Sequence, residues 1–164
     1  MRTGKLERAE HSFRLVLQLV REDGDLVGEV HALHGLGAVQ TQQQRYASAE
    51  ADLTAALDLA KHIRDDLIYG RVLMTAAELH LAKRELGPAT SRMSEAVFIF
   101  SQVGPAPVWR ARFLELKARV DDAAGRTTAA KAARREALDQ MDSLDPALAR
   151  ILTAAITAAD PGTR

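Results

Sequence analysis

The sequence has no cysteine, which removes disulfide staples, iron–sulfur clusters, thiolate zinc sites and a cysteine nucleophile. Aromatic residues make up only 4% of its 164 residues, and there are ten glycines and five prolines. Gly and Pro at that level are too few for a loop-rich all-β protein. No run approaches ~18 consecutive apolar residues, so no transmembrane helix is expected. The opening Met1–Arg8 stretch has no apolar signal core and carries acid early, which speaks against a secretory signal. An excess of one charge is also missing, since 22 Lys and Arg face 22 Asp and Glu. That balance excludes a nucleic-acid module working through a broad basic surface, and a polyacidic tail. The expectation is a soluble, cytoplasmic chain with no direct nucleic-acid or membrane partner.

What the sequence has in quantity is alanine, a strong helix former that adds little core volume. Apolar residues recur at helical spacing almost throughout, with no clean period-two run. Leu6, Phe13, Val16, Leu17 and Val20 share one face of a first segment that stops at Asp23-Gly24-Asp25. Further helical segments are expected at about 26–41, 46–63, 67–85, up to 102, 108–123 and 127–141. Gly87 reads as the stop of the fourth, with Pro88 where the fifth should begin. Asp145-Pro146 reads as an N-cap and first turn of an eighth segment carrying Leu148, Ile151, Leu152 and Ile156. The class is therefore all-α, with seven or eight helices joined by short connections.

A fixed period runs through these segments. Ala9, Ala49 and Ala89 stand at a constant interval, and Ala130 follows one position late. Four positions after each stand Phe13, Leu53, Met93 and Arg134; seven after stand Val16, Ala56, Ala96 and Ala137. On the intervening helices Leu33-x-x-Leu36-Gly37 aligns with Leu73-x-x-Ala76-Ala77 and, more loosely, Leu114-x-x-Lys117-Ala118. Alanine or glycine is needed where two helix backbones approach closely, and bulky residues fill the space between. The pattern resembles the tetratricopeptide repeat family in its longer, roughly 40-residue form. The resemblance implies an α-α superhelix, a solenoid of seven to eight antiparallel helices, in one domain over 1–164. Its parts would be a half repeat at 5–23, repeats at 25–63 and 66–103, a degenerate repeat at 107–142 and a capping helix at 145–160. Lys117 and Arg134 fall where that family has apolar residues. The family's turn-marking proline is absent from every copy, and Gln40, His80 and Asp121 replace its tyrosine.

The first segment matches the second helix of a pair, with no first helix before it. Its face of Phe13, Val16 and Leu17 then lacks half of its cover, and a solenoid needs its ends protected. A second copy of the chain, as a homodimer, or an upstream segment is expected to pack there.

Candidate chemistry is sparse. His31 and His34, three apart on one helix, have a spacing that suits a metal, but no third ligand stands at suitable spacing. Gly35-Leu36-Gly37 lacks the preceding strand and third glycine of a dinucleotide loop, and no Walker-type sequence occurs. The five serines considered, from Ser12 to Ser101, show no nucleophile-elbow context. Asp65-Asp66 and Asp121-Asp122 fall at helix ends, where capping and dipole pairing account for carboxylates. Lys131, Arg134 and Arg135 could touch phosphate, but Glu136 and Asp139 dilute them. No metal, cofactor or catalytic residue is expected.

In the repeat family the first helix of each pair lines a groove. Carried onto this sequence, that groove would hold His31, His34, Ala38 and Thr41; Arg71, Met74, Glu78 and Leu81; and Arg112, Glu115, Arg119 and Asp122. The 3-4-3 spacing keeps each set on one helical face. The resemblance is strongest to repeat regions of large bacterial signal-transducing transcription regulators. It implies a non-catalytic module binding a protein or peptide partner, as a sensor or adaptor piece. A peptide receptor of the quorum-sensing type is the alternative.

Overall fold

The computed structural model describes residues 3–104 and 107–141, together with residues 150 and 153. The helices are α1 (Thr3–Asp23), α2 (Leu26–Gln42), α3 (Tyr46–His62), α4 (Asp66–Ala82), α5 (Leu86–Val103), α6 (Pro107–Ala123) and α7 (Thr127–Met141). Every regular element among the described residues is helical. The chain divides into two compact units, Met1–Val103 and Gly104–Arg164. The capping helix expected at 145–160 lies outside the described residues except for two positions.

The helices are short because of how they stop. Positive φ occurs at Gly24, Gln44, Arg64, Arg84, Gly104 and Gly125, at nearly even steps and once after each of α1 to α6. At five of these the same two hydrogen bonds close the helix. The left-handed residue donates its N–H to a carbonyl three positions back, at 2.9–3.3 Å, in Gly24, Gln44, Arg64, Arg84 and Gly125. The next residue donates to a carbonyl five back, at 2.8–3.2 Å, as in Arg45 N to Gln40 O and Asp65 N to Ala60 O. This is the Schellman arrangement, which satisfies the orphan carbonyls of a helix end. The residue that completes it is also the N-cap of the next helix, so each of these connections is very short. Asp25 and Asp65, one full repeat apart, use their side chains too, accepting from Gly28 N at 2.9 Å and Ile68 N at 2.8 Å.

Such tight turns force consecutive helices antiparallel, and contacts run in opposite senses along each pair. In the first unit Phe13 meets Gly35 while Val20 meets Gly28, and Gln40 bonds Asp52 while Gly37 meets Leu53. α2 packs on α1 and α3, and α4 on α3, α5 and α2. The small-residue columns are where backbones approach. Ala49, Ala56, Ala77, Ala89 and Ala96 are wholly buried, between Leu33, Leu53, Leu73 and Met93. A Cβ on Gly37 would collide with the Leu53 side chain. In the second unit Ala118, Ala130 and Ala137 are equally buried, with Leu114 packed against Ala111 and Ala137.

One expectation is corrected. Gly87 does not stop the fourth helix: α4 ends at Ala82, Arg84 makes the left-handed turn, and Gly87 lies in the first turn of α5. Pro88 is tolerated in that turn because its missing N–H would have had no helical partner there. The charged residues of the degenerate repeat are not vacancies in the packing. Arg134, 7% exposed, pairs with Asp122 at 2.5 Å, and Lys117 with Asp121 at 2.7 Å. The Arg134–Asp122 pair therefore joins α7 to α6 by charge, while Lys117–Asp121 is a pair within α6.

Two outcomes are expected. Replacing Gln44, Arg64 or Arg84 by Gly relieves a left-handed strain of ~1–2 kcal/mol, and after glycine's own entropy loss each gains ~0.5–1 kcal/mol. Denaturant melts of the single variants and the triple variant check this. Ala49→Leu, Ala89→Leu and Gly37→Ala should each cost ~1–3 kcal/mol by overpacking a helix pair; unchanged midpoints would contradict the assigned close approaches.

Candidate functional site

The face that the sequence singles out in the first unit lies on α2 and α4. These two helices pack on each other directly, and His34 Nε2 on α2 stands 2.7 Å from Thr75 Oγ1 on α4. Since each turn reverses the chain, the two helices run in the same direction. His31 is exposed, and His34, Arg71 and Glu78 are half-buried. His34, Arg71 and Glu78 each have interaction partners within the fold. Ala38, Thr41 and Leu81 are half-buried, Thr41 returning its hydroxyl to Gly37 O at 2.7 Å. Met74 is buried at 6% exposure. It sits in the run Val72–Ala77, buried throughout, because α4 is covered by α2, α3 and α5 together.

The remaining predicted residues belong to the second unit. Arg112 is exposed, its guanidinium 5.0 Å from the centre of the Trp109 ring. Glu115 and Arg119 approach to 4.0 Å along α6, and Asp122 is engaged by Arg134. His31 and His34 gain no third ligand: among the described residues no group of three or more His, Asp or Glu could hold a metal ion. Among them, too, no helix is long and apolar enough to cross a membrane.

Sequence reasoning missed a buried polar row. Gln40, His80 and Asp121 occupy the same repeat position, and all are buried. Each is the residue whose carbonyl accepts the five-back bond of the turn that follows. In two copies the side chain bonds the residue that donates it. His80 Nδ1 lies 2.8 Å from Glu85 Oε2, and Arg126 Nε donates to Asp121 Oδ1 at 2.9 Å. Gln40 donates instead to Asp52 Oδ2 at 2.8 Å, across to α3. The pattern was visible as the departure from tyrosine, but not its purpose, since the partner lies beyond the helix end.

A second missed feature links one repeat to the next. Glu10 on α1 bonds Gln43 and pairs with Arg45. One repeat on, Glu50 on α3 pairs with Lys83 at 2.8 Å, which also meets Glu85 at 2.9 Å. The same acidic position thus clamps the turn of the following hairpin twice. Two of these carboxylates, Glu10 and Glu85, are held toward the ionised form. Arg45 keeps Glu10 below the usual range, and His80 with Lys83 does the same for Glu85. Burial pushes Asp121 up, but Lys117 and Arg126 outweigh it and the net shift is downward. Each of these acids is matched by a fixed cation and so is held away from the protonated form a general acid needs. Between α4 and α5, burial and a short hydrogen bond to Glu95 raise the Tyr69 hydroxyl, while Lys61 sits 4.9 Å from its ring centre.

No family model matches the chain, and no curated protein does. Among solved structures, the crystal structure of BtubC (BKLC) from P. vanneervenii aligns with a TM-score of 0.72 at 18% identity. The alignment covers 87% of this chain and 60% of BtubC, so the chain spans somewhat under two thirds of that protein's length. At that identity the likeness is one of fold: an all-α chain of helical hairpins, of the α-α superhelix class.

A depressed folded-state pKa contributes stability that is present above the unfolded carboxylate range and is lost as pH falls through the folded value. Asp121→Asn should therefore cost about 1–2 kcal/mol at neutral pH and flatten the fall in melting temperature below about pH 4. Thermal melts between neutral and strongly acid pH measure this; parallel curves for the two proteins would contradict it.

Proposed function

We propose that the chain is a non-catalytic protein–protein interaction module of the tetratricopeptide type, in the long repeat form. It works as a sensor or adaptor piece in cytoplasmic signalling or transcriptional regulation. The observation that carries this reading is the parallel pairing of α2 with α4, one repeat apart, joined by His34 and Thr75. Stacked first helices present a continuous strip of side chains to a partner, which is how repeat arrays build binding surfaces. His31, Arg71 and Glu78 give that strip both signs of charge and several donors and acceptors. Its specificity comes from the pattern of groups, in keeping with a net charge of zero.

The perturbed carboxylates support the non-catalytic side of this reading. Their pKa values are shifted downward, and they are locked to cations that shape turns. A reaction centre needs the opposite, a group poised near the working pH beside a substrate space.

Immobilised chain should retain a partner that His31→Glu and Arg71→Ala each release, with helix content unchanged by circular dichroism. Asp58→Lys, exposed on α3, should retain it. Loss on the α3 variant with retention on the α2 and α4 variants would place binding elsewhere and overturn the assignment.

A further inference from the structure

The side of α1 that faces away from α2 carries exposed apolar side chains in its middle, between charged ends. Leu15 is 50%, Val16 43% and Leu19 60% exposed. Phe13 and Val20 point the other way, against Gly35 and Gly28, and Leu17 is half-buried. Of the apolar surface expected at Phe13, Val16 and Leu17, Val16 is exposed, while Phe13 packs internally and Leu17 is half-buried; Leu15 and Leu19 are the other exposed members.

In interior copies this helix position is covered by the first helix of its own pair. The positions equivalent to 9, 13, 16, 17 and 20 are Ala49, Leu53, Ala56, Leu57 and Ala60 in α3, all buried. Close approach there depends on small residues, with Ala56, Ala96 and Ala137 in the column that α1 fills with Val16. α1 also carries Leu15 where α3 has exposed Ala55 and α5 has Glu95. The bulk at 15 and 16 is wrong for a close-packed first helix and right for a wider, ridged helix pair.

The charges on that stripe select the occupant. Arg8, Leu15 and Glu22 repeat at heptad spacing, with Lys5, Ser12 and Leu19 on the flanking row, a two-row seam of the coiled-coil kind. The seam is basic at its start, apolar in the middle and acidic at its end. A pattern of that form is self-complementary when turned end for end. With a two-fold axis at Leu15, Arg8 of each copy faces Glu22 of the other, Leu15 meets Leu15 between them, and Leu19 stands one turn further along, opposite His11. Arg8, Glu22 and the neighbouring Asp23 are exposed, and Glu22 accepts the Gln18 amide at 2.9 Å.

We propose that the chain forms a two-fold homodimer through antiparallel pairing of α1 with α1 of a second copy, with Leu15 at its centre, Leu19 one turn further along and reciprocal Arg8–Glu22 ion pairs at its ends. The interface is isologous, as closed two-fold dimers require. It leaves the α2–α4 face free, so it stands independently of what that face binds.

Sedimentation equilibrium of the full chain over a dilution series tests it. The wild type should shift from monomer to dimer as concentration rises. Leu15→Asp with Leu19→Asp should be monomeric throughout, at unchanged helix content, since both side chains are exposed in the folded chain. Arg8→Glu and Glu22→Arg should each weaken dimerisation about tenfold, and the double swap should restore it. A wild type that stays monomeric at the highest concentration overturns the proposal. So does a dimer indifferent to the leucine variants, or a double swap no better than the singles.

Discussion

Within each of the two units the fold depends on one hydrogen bond repeated at the ends of five helices: a backbone N–H donating to the carbonyl five positions back, over a left-handed residue. The turn it closes is so short that each helix must double back against its predecessor. Repeating the turn at even steps makes the interior helices nearly the same length, and alternating two kinds of turn gives the two-helix repeat. Those leading into α2 and α4 end in an aspartate whose side chain caps the new helix. Those leading into α3, α5 and α7 end in Arg45, Glu85 and Arg126. In the last two of these a buried side chain of the helix before, His80 or Asp121, bonds the residue that closes the turn.

That division explains why an alanine-rich chain with few aromatics carries a buried polar row. Gln40, His80 and Asp121 would be costly if left alone in a core. Each stands beside the carbonyl that accepts the turn's defining bond, and each finds a partner on the turn or the next helix. The Glu10 and Glu50 clamps extend the same logic from one hairpin to the next. The charges at these turns are structural: they fix turn geometry and link one hairpin to the next, while alanine and leucine columns set the distance between helices.

The periodic features were legible in the sequence because they repeat. The helix starts at Leu26, Tyr46 and Thr127, the alanine columns and the all-α class follow from spacing alone. The stops were harder. Glycine announces a left-handed residue at Gly24 and Gly125, but Gln44, Arg64 and Arg84 adopt the same conformation without announcing it. Gly87 attracted a stop that belonged to Arg84. The conformation of these residues is imposed by the paired helices they join, which is tertiary information. The candidate site was legible in part for the same reason. Its residues share helical faces as their spacing requires, and His34 meets the next first helix through Thr75. Met74 is buried because α4 is covered by three helices at once, which the face of one helix does not reveal. Lys117 and Arg134 looked like defects of the repeat and are its charged substitutes, paired with Asp121 and Asp122.

The most direct test of this account is native-state hydrogen exchange at the amides of Asp25, Arg45, Asp65, Glu85 and Arg126. If the five-back bonds hold the hairpins together, these turn amides should be as protected as the middles of the helices they join. Exchange at the rate of open loop amides, with the helices still protected, would contradict it.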